Sequence, residues 1–284
     1  MKRVLLIGAM CFFILSTITW GRKMEHVTKK ISMEDANYLM LKCDFGVGKF
    51  YINPDDITEA AIVDITYNPH RIDYTVDSDI RDDKCYLDLE SEHHRKMNID
   101  SDDNIWDISL STNYKTSMDL NIGACEANFD LGGIPLKDLK LDMGAASGKI
   151  DFSQPNPMRL KRIKINAGAS SLDMSSIGNA NFYLFKFSGG VGSYNLDFRG
   201  KYEGESEILL DIGLGSADII LPRNIPIRLE TKGAAWLSSI DFHGIDLPEI
   251  DDDIYESPDF EDADTRIILK LKIGLGSVDF RWRK

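Results

Sequence analysis

The chain has 284 residues, 43% of them hydrophobic, and a formal net charge of −13. This hydrophobic content is ordinary for a folded protein and argues against a disordered chain. The acidic balance argues against a nucleic-acid partner, because a phosphate-binding footprint would be basic.

The first 21 residues resemble a secretory signal peptide. Lys2 and Arg3 form a charged start, and an apolar run follows from Val4 to Trp20. Thr19 and Gly21 are small residues of the kind that a signal peptidase needs, so we predict cleavage after Gly21. An uncleaved anchor is the alternative, and only then would the chain contact a membrane. Export to the periplasm, the cell surface or the medium follows, and the signal does not distinguish them.

The next regions are a polar lead-in at residues 22–40 and a β-rich region at residues 41–119. The second region has strand-like runs separated by turn signals such as Asn68-Pro69. It lacks the tight repeat of the later chain. We expect it to cap the first coil of that repeat or to pair along its side, because exposed strand edges invite aggregation.

A ten-residue phrase then recurs: apolar, any, apolar, Gly, small or apolar, small, small, apolar, polar, apolar. The copies begin at Leu120, Leu141, Ile165, Phe187, Leu210 and Leu271. The first five starts are 21, 24, 22 and 23 residues apart. A looser copy begins at Leu41, with Asp44 where the others have glycine. A degenerate coil is predicted from Leu229, and residues 266–282 are expected to close the chain as the last coil of the stack. Such a period signals stacked repeats.

The phrase predicts bent strands. Its apolar residues occupy positions 1, 3 and 5 and then 8, 10 and 12, which is the two-residue period of a strand. The parity changes between positions 5 and 8, so a corner at positions 6 and 7 would let both halves face one interior. The predicted fold is all-β: a parallel β-solenoid, or single-stranded β-helix-like stack, of coils of about 22 residues over residues 120–284.

Glycine at position 4 is predicted to be structural, because glycine inside a strand marks a bend or a bulge. A dinucleotide-binding loop is a poor interpretation, since that fingerprint occurs once, between a strand and a helix. The six structural glycines are Gly123, Gly144, Gly168, Gly190, Gly213 and Gly274.

Two polar rows are predicted on the outside of the second half of each coil. Position 9 supplies Asn128, Lys149, Asp173, Asn195, Asp218 and Asp279. Position 11 supplies Asp130, Asp151, Ser175, Asp197 and Ile220. Asp130 and Asp151 would be neighbours in one row, where two carboxylates could share a cation or act as a catalytic pair. We favour a solvated face, with cation contacts as the alternative.

An acidic loop is predicted at residues 244–266. Asp251, Asp252 and Asp253 are consecutive, whereas an EF-hand alternates its ligands around a central glycine. We expect a solvated loop, with loose divalent-cation contacts as the alternative. The sequence has no nucleophile elbow or zinc motif, so no catalytic residue, structural metal or cofactor is predicted.

Three cysteines follow the signal segment: Cys43, Cys85 and Cys125. An exported chain permits one disulfide and one remaining thiol, and the sequence does not select the pair. Alternatively, all three are small buried hydrophobic residues.

Three segments resemble the toast-rack family of bacterial β-solenoid domains. They are MDLNIGACEANFDLGGIPLKDLKLDMGAASGKIDFS at 118–153, GLGSADIILPRNIPIRLETKG at 213–233 and YESPDFEDADTRIILKLKIGLGSVDF at 255–280. The pattern is similar in particular to the C-terminal domain of the LiaF-like envelope-stress proteins and to related adhesins. The resemblance implies an exported cell-envelope protein that binds another protein or an envelope component without catalysis. A carbohydrate-active β-helix enzyme and a self-assembling scaffold are the alternatives.

Overall fold

The computed structural model describes residues 24–94, 101–233, 238–244 and 247–283, and within these ranges the chain is all-β, as predicted. The predicted signal peptide and its cleavage site lie outside the described residues. No helix in the described ranges is long and apolar enough to cross a membrane.

Seventeen strands occupy these ranges. Strands β1 to β6 are Glu25–Ile31, Tyr38–Asp55, Ala61–Tyr67, Ile72–Arg81, Lys84–His93 and Asn104–Ser111. Strands β7 to β12 are Lys115–Asp130, Leu136–Met143, Ser147–Asp151, Leu160–Ser175, Phe182–Asp197 and Glu205–Pro222. Strands β13 to β17 are Ile227–Gly233, Ser238–His243, Glu249–Asp251, Ile254–Glu256 and Arg266–Arg283. Short 3-10 helices lie at Ser101–Asp103 and Ile177–Ala180.

The long strands lie side by side in parallel, one layer on another. β2 pairs with β7, β10 with β11, β11 with β12, and β12 with β17. Three other layers each consist of two consecutive strands. β5 and β6 lie against β2, β8 and β9 lie between β7 and β10, and β13 and β14 lie against β17. The nine layers of the described chain span about 38 Å at the usual strand spacing.

The order of the layers in space differs from their order in the sequence at both ends. β17, the last copy of the phrase, lies between β12 and the β13–β14 layer, so it does not close the stack as expected. β2 likewise lies inside the β5–β6 layer and pairs along most of β7. The predicted boundary between residues 119 and 120 therefore falls inside β7.

Antiparallel strands cover the outer layers. β4 pairs with β5, β3 with β6, and β1 with β3. At the opposite end, β16 pairs with β13, and β15 pairs with β16. These additions cover backbone edges that would otherwise be templates for pairing with another chain.

Each layer bends at positions 4 and 5 of the phrase. In the β8–β9 layer, Met143 and Ala146 are buried, whereas Gly144 and Ala145 between them are exposed. In β7, Cys125 at position 6 is buried. Two consecutive outward residues reverse the parity of a strand. The corner predicted at positions 6 and 7 is therefore wrong. We call the half of each layer before this corner the first arm and the half after it the second arm.

The position-4 glycines are needed because the backbones of neighbouring layers almost touch at the corner. A Cβ atom on Gly123 would lie 2.3 Å from the carbonyl oxygen of Gly46, and one on Gly274 would lie 2.5 Å from that of Gly213. Side-chain atoms cannot approach a backbone oxygen so closely without moving it. All six predicted glycines face a glycine carbonyl of the neighbouring layer.

The first copy of the phrase is shifted by two residues from its sequence alignment. The pairing of β2 with β7 places Asp44 opposite Asn121. Gly46, not Asp44, then stands beside Gly123. Asp44 therefore occupies position 2 on the outside of the first arm, and the expectation that it replaces the glycine is wrong.

The interior between the arms is apolar and includes three buried free thiols. Cys43, Cys85 and Cys125 form no disulfide in the structure. Burial raises the pKa of Cys125 to about 12. Burial and then the Asp44 carboxylate raise the pKa of Cys43 far above its usual value. The thiols are therefore protonated. This agrees with the alternative prediction that all three cysteines are small buried hydrophobic residues.

Replacing Gly123 with alanine should destabilise the fold by about 2–4 kcal/mol, because the new Cβ atom would collide with the Gly46 carbonyl. Gly144→Ala is the matched control in the next layer, where the corresponding Cβ–oxygen distance is 3.2 Å. We expect it to change stability by less than about 1 kcal/mol. Urea unfolding of both variants measures the difference, and equal losses would contradict the close-approach explanation.

The native protein should react only slowly with a thiol reagent such as Ellman's reagent, because a protonated, buried sulfur is a poor nucleophile. After denaturation, the processed chain should release its three thiols, and Cys11 should add a fourth if the signal segment is retained. Fewer than three thiols in denaturant without a reductant would instead reveal a disulfide.

Candidate binding face

The outer face of the first arm carries acidic and basic side chains in rows along the stack. One row consists of Asp119, Lys140, Lys164 and Lys186 in successive layers. The Lys140 ammonium lies 2.9 Å from Asp142 and 3.0 Å from Asp119. Bonds to Asp142 and then to Asp119 raise the pKa of Lys140. Lys140 is therefore neutralised, whereas Lys164 and Lys186 form no ion pair with a described residue.

Three layers turn an additional residue outward near the start of the first arm. In β8, Lys137 and Asp138 are consecutive and both lie outside the core, where the pairing with β7 is irregular. In β10, Lys161 and Arg162 are both exposed. In β11, Tyr183 is 54% exposed. Lys137, Lys161 and Tyr183 are the additional residues.

The two additional lysines have no counter-charge. Arg162 pairs with Asp138 at 3.0 Å. Lys137 and Lys161 form no ion pair or hydrogen bond with any residue in the described ranges. The Lys137 ammonium lies 5.1 Å from the centre of the Tyr38 ring, a favourable contact that leaves its charge uncompensated.

These side chains border a cleft of about 520 Å³, which we call the basic cleft. Tyr38, Met40 and Tyr86 supply its aromatic and apolar surface. Its charged lining consists of Lys42, Lys137, Lys140, Lys161, Arg162, Asp88, Asp119 and Asp138. Five cations and three carboxylates make this lining positive, in a chain with a net charge of −13.

A second cleft of about 630 Å³ lies beside it on the same face, and we call it the glycine groove. The position-4 glycines form its floor, and position-2 side chains form a polar wall. In that wall, Asn121 donates a hydrogen bond to Asp44 at 2.7 Å, and Asn166 donates one to Asp142 at 2.5 Å. Partial burial raises the pKa of Asp142, but hydrogen bonds from Asn166 and Lys140 outweigh it, and the pKa is lowered.

The predicted pair Asp130 and Asp151 lies elsewhere, on the second arm. The two residues are directly opposite in β7 and β9. Asp130 accepts hydrogen bonds from the Ser153 hydroxyl at 2.6 Å and from the Gly132 and Ser153 backbone amides. Its carboxylate thus stabilises a turn, and cation binding by the pair stays a prediction.

The row predicted at position 11 is not uniformly solvated. Asp197 and Ile220 are both buried, each with 8% of its surface exposed. Asp197 forms paired hydrogen bonds with the Arg199 guanidinium, at 2.9 and 2.6 Å. This row therefore contributes to the fold at its far end, contrary to the expected solvated face.

The acidic segment 244–266 is part of the fold where it is described, which corrects the expected solvated loop. Its strands β15 and β16 form a hairpin on the edge of β13, with Asp252 and Asp253 in the turn. Phe260 is 2% exposed, and the Arg228 and Arg266 guanidinium groups lie 4.4 and 5.1 Å from its ring centre. Asp251, Asp252 and Asp253 are exposed on the hairpin, and their predicted cation contacts stay a prediction.

The sequence pattern predicted polar rows on the second arm and did not predict the first-arm face. A signal was nevertheless present. In Leu136–Leu139 and Leu160–Ile163, two polar residues separate two apolar ones, which breaks the alternation of a strand. Each break places a lysine outside.

A family model described as the N-terminal domain of toast_rack, DUF2154, matches residues 20–172. A "putative cell adhesion protein" from Clostridium sporogenes shares the fold at 17% identity, with a TM-score of 0.54 over 92% of this chain and 100% of that one. A "putative adhesin" from Bacteroides fragilis is 11% identical, with a TM-score of 0.38 over 93% of this chain and 100% of that one. No curated protein matches the chain.

Truncation of Phe260 to alanine should lower the free energy of unfolding by about 3 kcal/mol, because the ring is buried beneath two guanidinium groups. Ile250→Ala is the control in the same segment. Ile250 is 56% exposed, so its loss should cost less than about 0.5 kcal/mol. Chemical denaturation distinguishes the two, and an unchanged Phe260→Ala midpoint would mean that this segment is a solvated loop after all.

Proposed function

The chain belongs to the toast-rack family, and we propose that it is a non-catalytic binding module of the bacterial cell envelope, exported through its signal peptide. In this proposal the stacked layers form a rigid β-solenoid. The outer face of the first arm attaches the module to an anionic envelope component or to the surface of another cell.

The observation that carries this proposal is the pair of uncompensated lysines in the basic cleft. An acidic chain repels most anionic surfaces, so a local positive cleft would decide where such a surface can be approached. Lys137 and Lys161 need not break an ion pair to meet a ligand. The aromatic rings of Tyr38 and Tyr86 beside them add apolar surface, a combination found in ligand sites.

Adhesion is supported by the likeness in fold to the "putative cell adhesion protein" of Clostridium sporogenes. The resemblance of three sequence segments to LiaF-like proteins supports a second use of the same binding event, which is reporting a change in the envelope. Both uses require export and an accessible first-arm face.

The carbohydrate-active enzyme is less well supported by the carboxylates of this face. Hydrolysis of a glycosidic bond requires one carboxylic acid that stays protonated beside a second, ionised one. Asp119 and Asp138 are held by cations, and the pKa of Asp142 is lowered. A lowered pKa makes Asp142 a poor candidate for the protonated acid, so this carboxylate suits binding better than proton transfer.

Reversing the charges of both free lysines, in Lys137→Glu with Lys161→Glu, should reduce retention of the purified protein on isolated bacterial envelopes at least about tenfold. The loss should shrink as salt is raised, because screening weakens the wild-type interaction. Co-sedimentation of labelled protein measures retention.

The matched control reverses two exposed cations away from this face, Lys149 and Arg223, to glutamate, so the net charge changes equally. It should retain wild-type binding. Equal losses in both double variants, or no binding by the wild type, would refute the proposed binding face.

A further inference from the structure

We propose that the first-arm face binds a linear, hydroxyl-rich polysaccharide that carries spaced acidic groups and lies along the stack. The inference rests on the proposed function and specifies its ligand. It follows from the direction of the clefts, the spacing of the free cations and the polar wall beside them.

The free cations form two short rows parallel to the stack, three residues apart along the strands. Lys137 and Lys161 lie in the neighbouring layers β8 and β10, and Lys164 and Lys186 continue the positive surface through β10 and β11. Neighbouring layers are about 4.8 Å apart. A chain with acidic groups at intervals can therefore meet several of these ammonium groups at once, whereas a small anion would use only one or two.

Aromatic rings lie on both sides of the Lys137–Lys161 row along the stack. Tyr38 and Tyr86 lie in β2 and β5, and the exposed Tyr183 lies in β11. The Arg159 guanidinium covers one face of the Tyr183 ring, 3.7 Å from its centre. Such rings can bury the apolar C–H face of a sugar. From β5 to β11 the path is about 24 Å long, which suits an extended oligomer better than a single sugar.

The glycine groove supplies hydrogen-bonding groups next to the Lys164–Lys186 row. Its wall alternates Asp44, Asn121, Asp142 and Asn166, and Ser188 follows in the next layer. Carboxylates accept hydrogen bonds, and amides both donate and accept them, so this wall can satisfy hydroxyl groups of either orientation. The glycine floor has no side chains to obstruct a flat ring.

The same wall disfavours a densely charged polymer. Lys140 is shared by two carboxylates, Asp119 and Asp142. Glu90 in the same groove forms no ion pair with a described residue. This excess of carboxylates would repel a chain that bears a charge at every short step, such as a nucleic acid with one charge per roughly 1.7 Å of duplex axis. A polysaccharide with spaced carboxylates or phosphates can place its acidic groups over the lysines and its hydroxyl groups over the wall. The charge pattern of the face therefore favours a polymer whose acidic groups are spaced apart.

Isothermal calorimetry on the purified protein tests the proposal with four soluble probes: polygalacturonate, a phosphomannan, neutral dextran and a duplex DNA oligonucleotide. We expect at least one of the two acidic polysaccharides to bind, and to bind more tightly than dextran or DNA. Polygalacturonate and phosphomannan differ in the acidic group, so their ranking identifies carboxylate or phosphate as the preferred one.

The double variant Lys137→Glu, Lys161→Glu should weaken that binding at least about tenfold, and Tyr183→Ala should weaken it about threefold or more. Lys149→Glu with Arg223→Glu should bind as the wild type does. Circular dichroism checks that each variant is folded. Tyr183→Ala is an independent test of the face, because this ring is exposed and its removal leaves the core intact.

Binding of neither acidic polysaccharide, equal binding of dextran, or tighter binding of DNA would overturn the inference. Unchanged affinity in both the lysine and the Tyr183 variants would also overturn it. If the protein still adheres to envelopes in a lysine-dependent way while both polysaccharides fail, the proposed function stands and only the ligand class is wrong.

Discussion

The close approach of backbones at the corner is the constraint on which the rest of the structure depends. Each position-4 glycine lies against the carbonyl oxygen of a glycine in the neighbouring layer, and at all of them except Gly144 an added Cβ atom would come within 3.0 Å of that oxygen. Because the same contact recurs from β2 to β17, the corners are aligned along the stack. Because the corners are aligned, the first arms of successive layers form one continuous sheet and the second arms form another. Residues at the same position of the phrase then lie in rows along the stack.

The corner also explains an exposed apolar row. Since positions 4 and 5 both point outward, Val191, Leu214 and Leu275 at position 5 are 54%, 47% and 42% exposed in successive layers. The earlier layers have alanines there, Ala124, Ala145 and Ala169. An aliphatic residue at a corner is thus compatible with the fold without contributing to the core, and hydrophobicity alone misassigns it to the interior.

Repetition made the all-β class and the structural role of the glycines readable from the sequence, because both follow from local pattern. The two-residue alternation survives in most arms, and a recurring glycine can be recognised without knowing its neighbour. The spatial order of the layers could not be read in this way. Insertion of β17 between β12 and the β13–β14 layer is a non-local choice, and nothing within the final copy distinguishes it from a terminal coil. The role of Phe260 was equally hidden, since a burial partner such as Arg228 lies more than thirty residues away.

The candidate binding face arises where the regular pattern fails. A strictly alternating strand would give each layer one outward residue between two inward ones. Nearby opposite charges could then pair across layers, as Lys140 does with Asp119, or along one strand, as it does with Asp142. In β8 and β10 an additional outward residue enters the row, and the neighbouring carboxylate is already taken: Asp138 pairs with Arg162. Lys137 and Lys161 are left with a charge that the fold does not use. Because folding does not require these two charges, substitutions selected for binding can change them without loss of stability. The irregular start of the first arm is therefore the part of the stack best suited to a ligand.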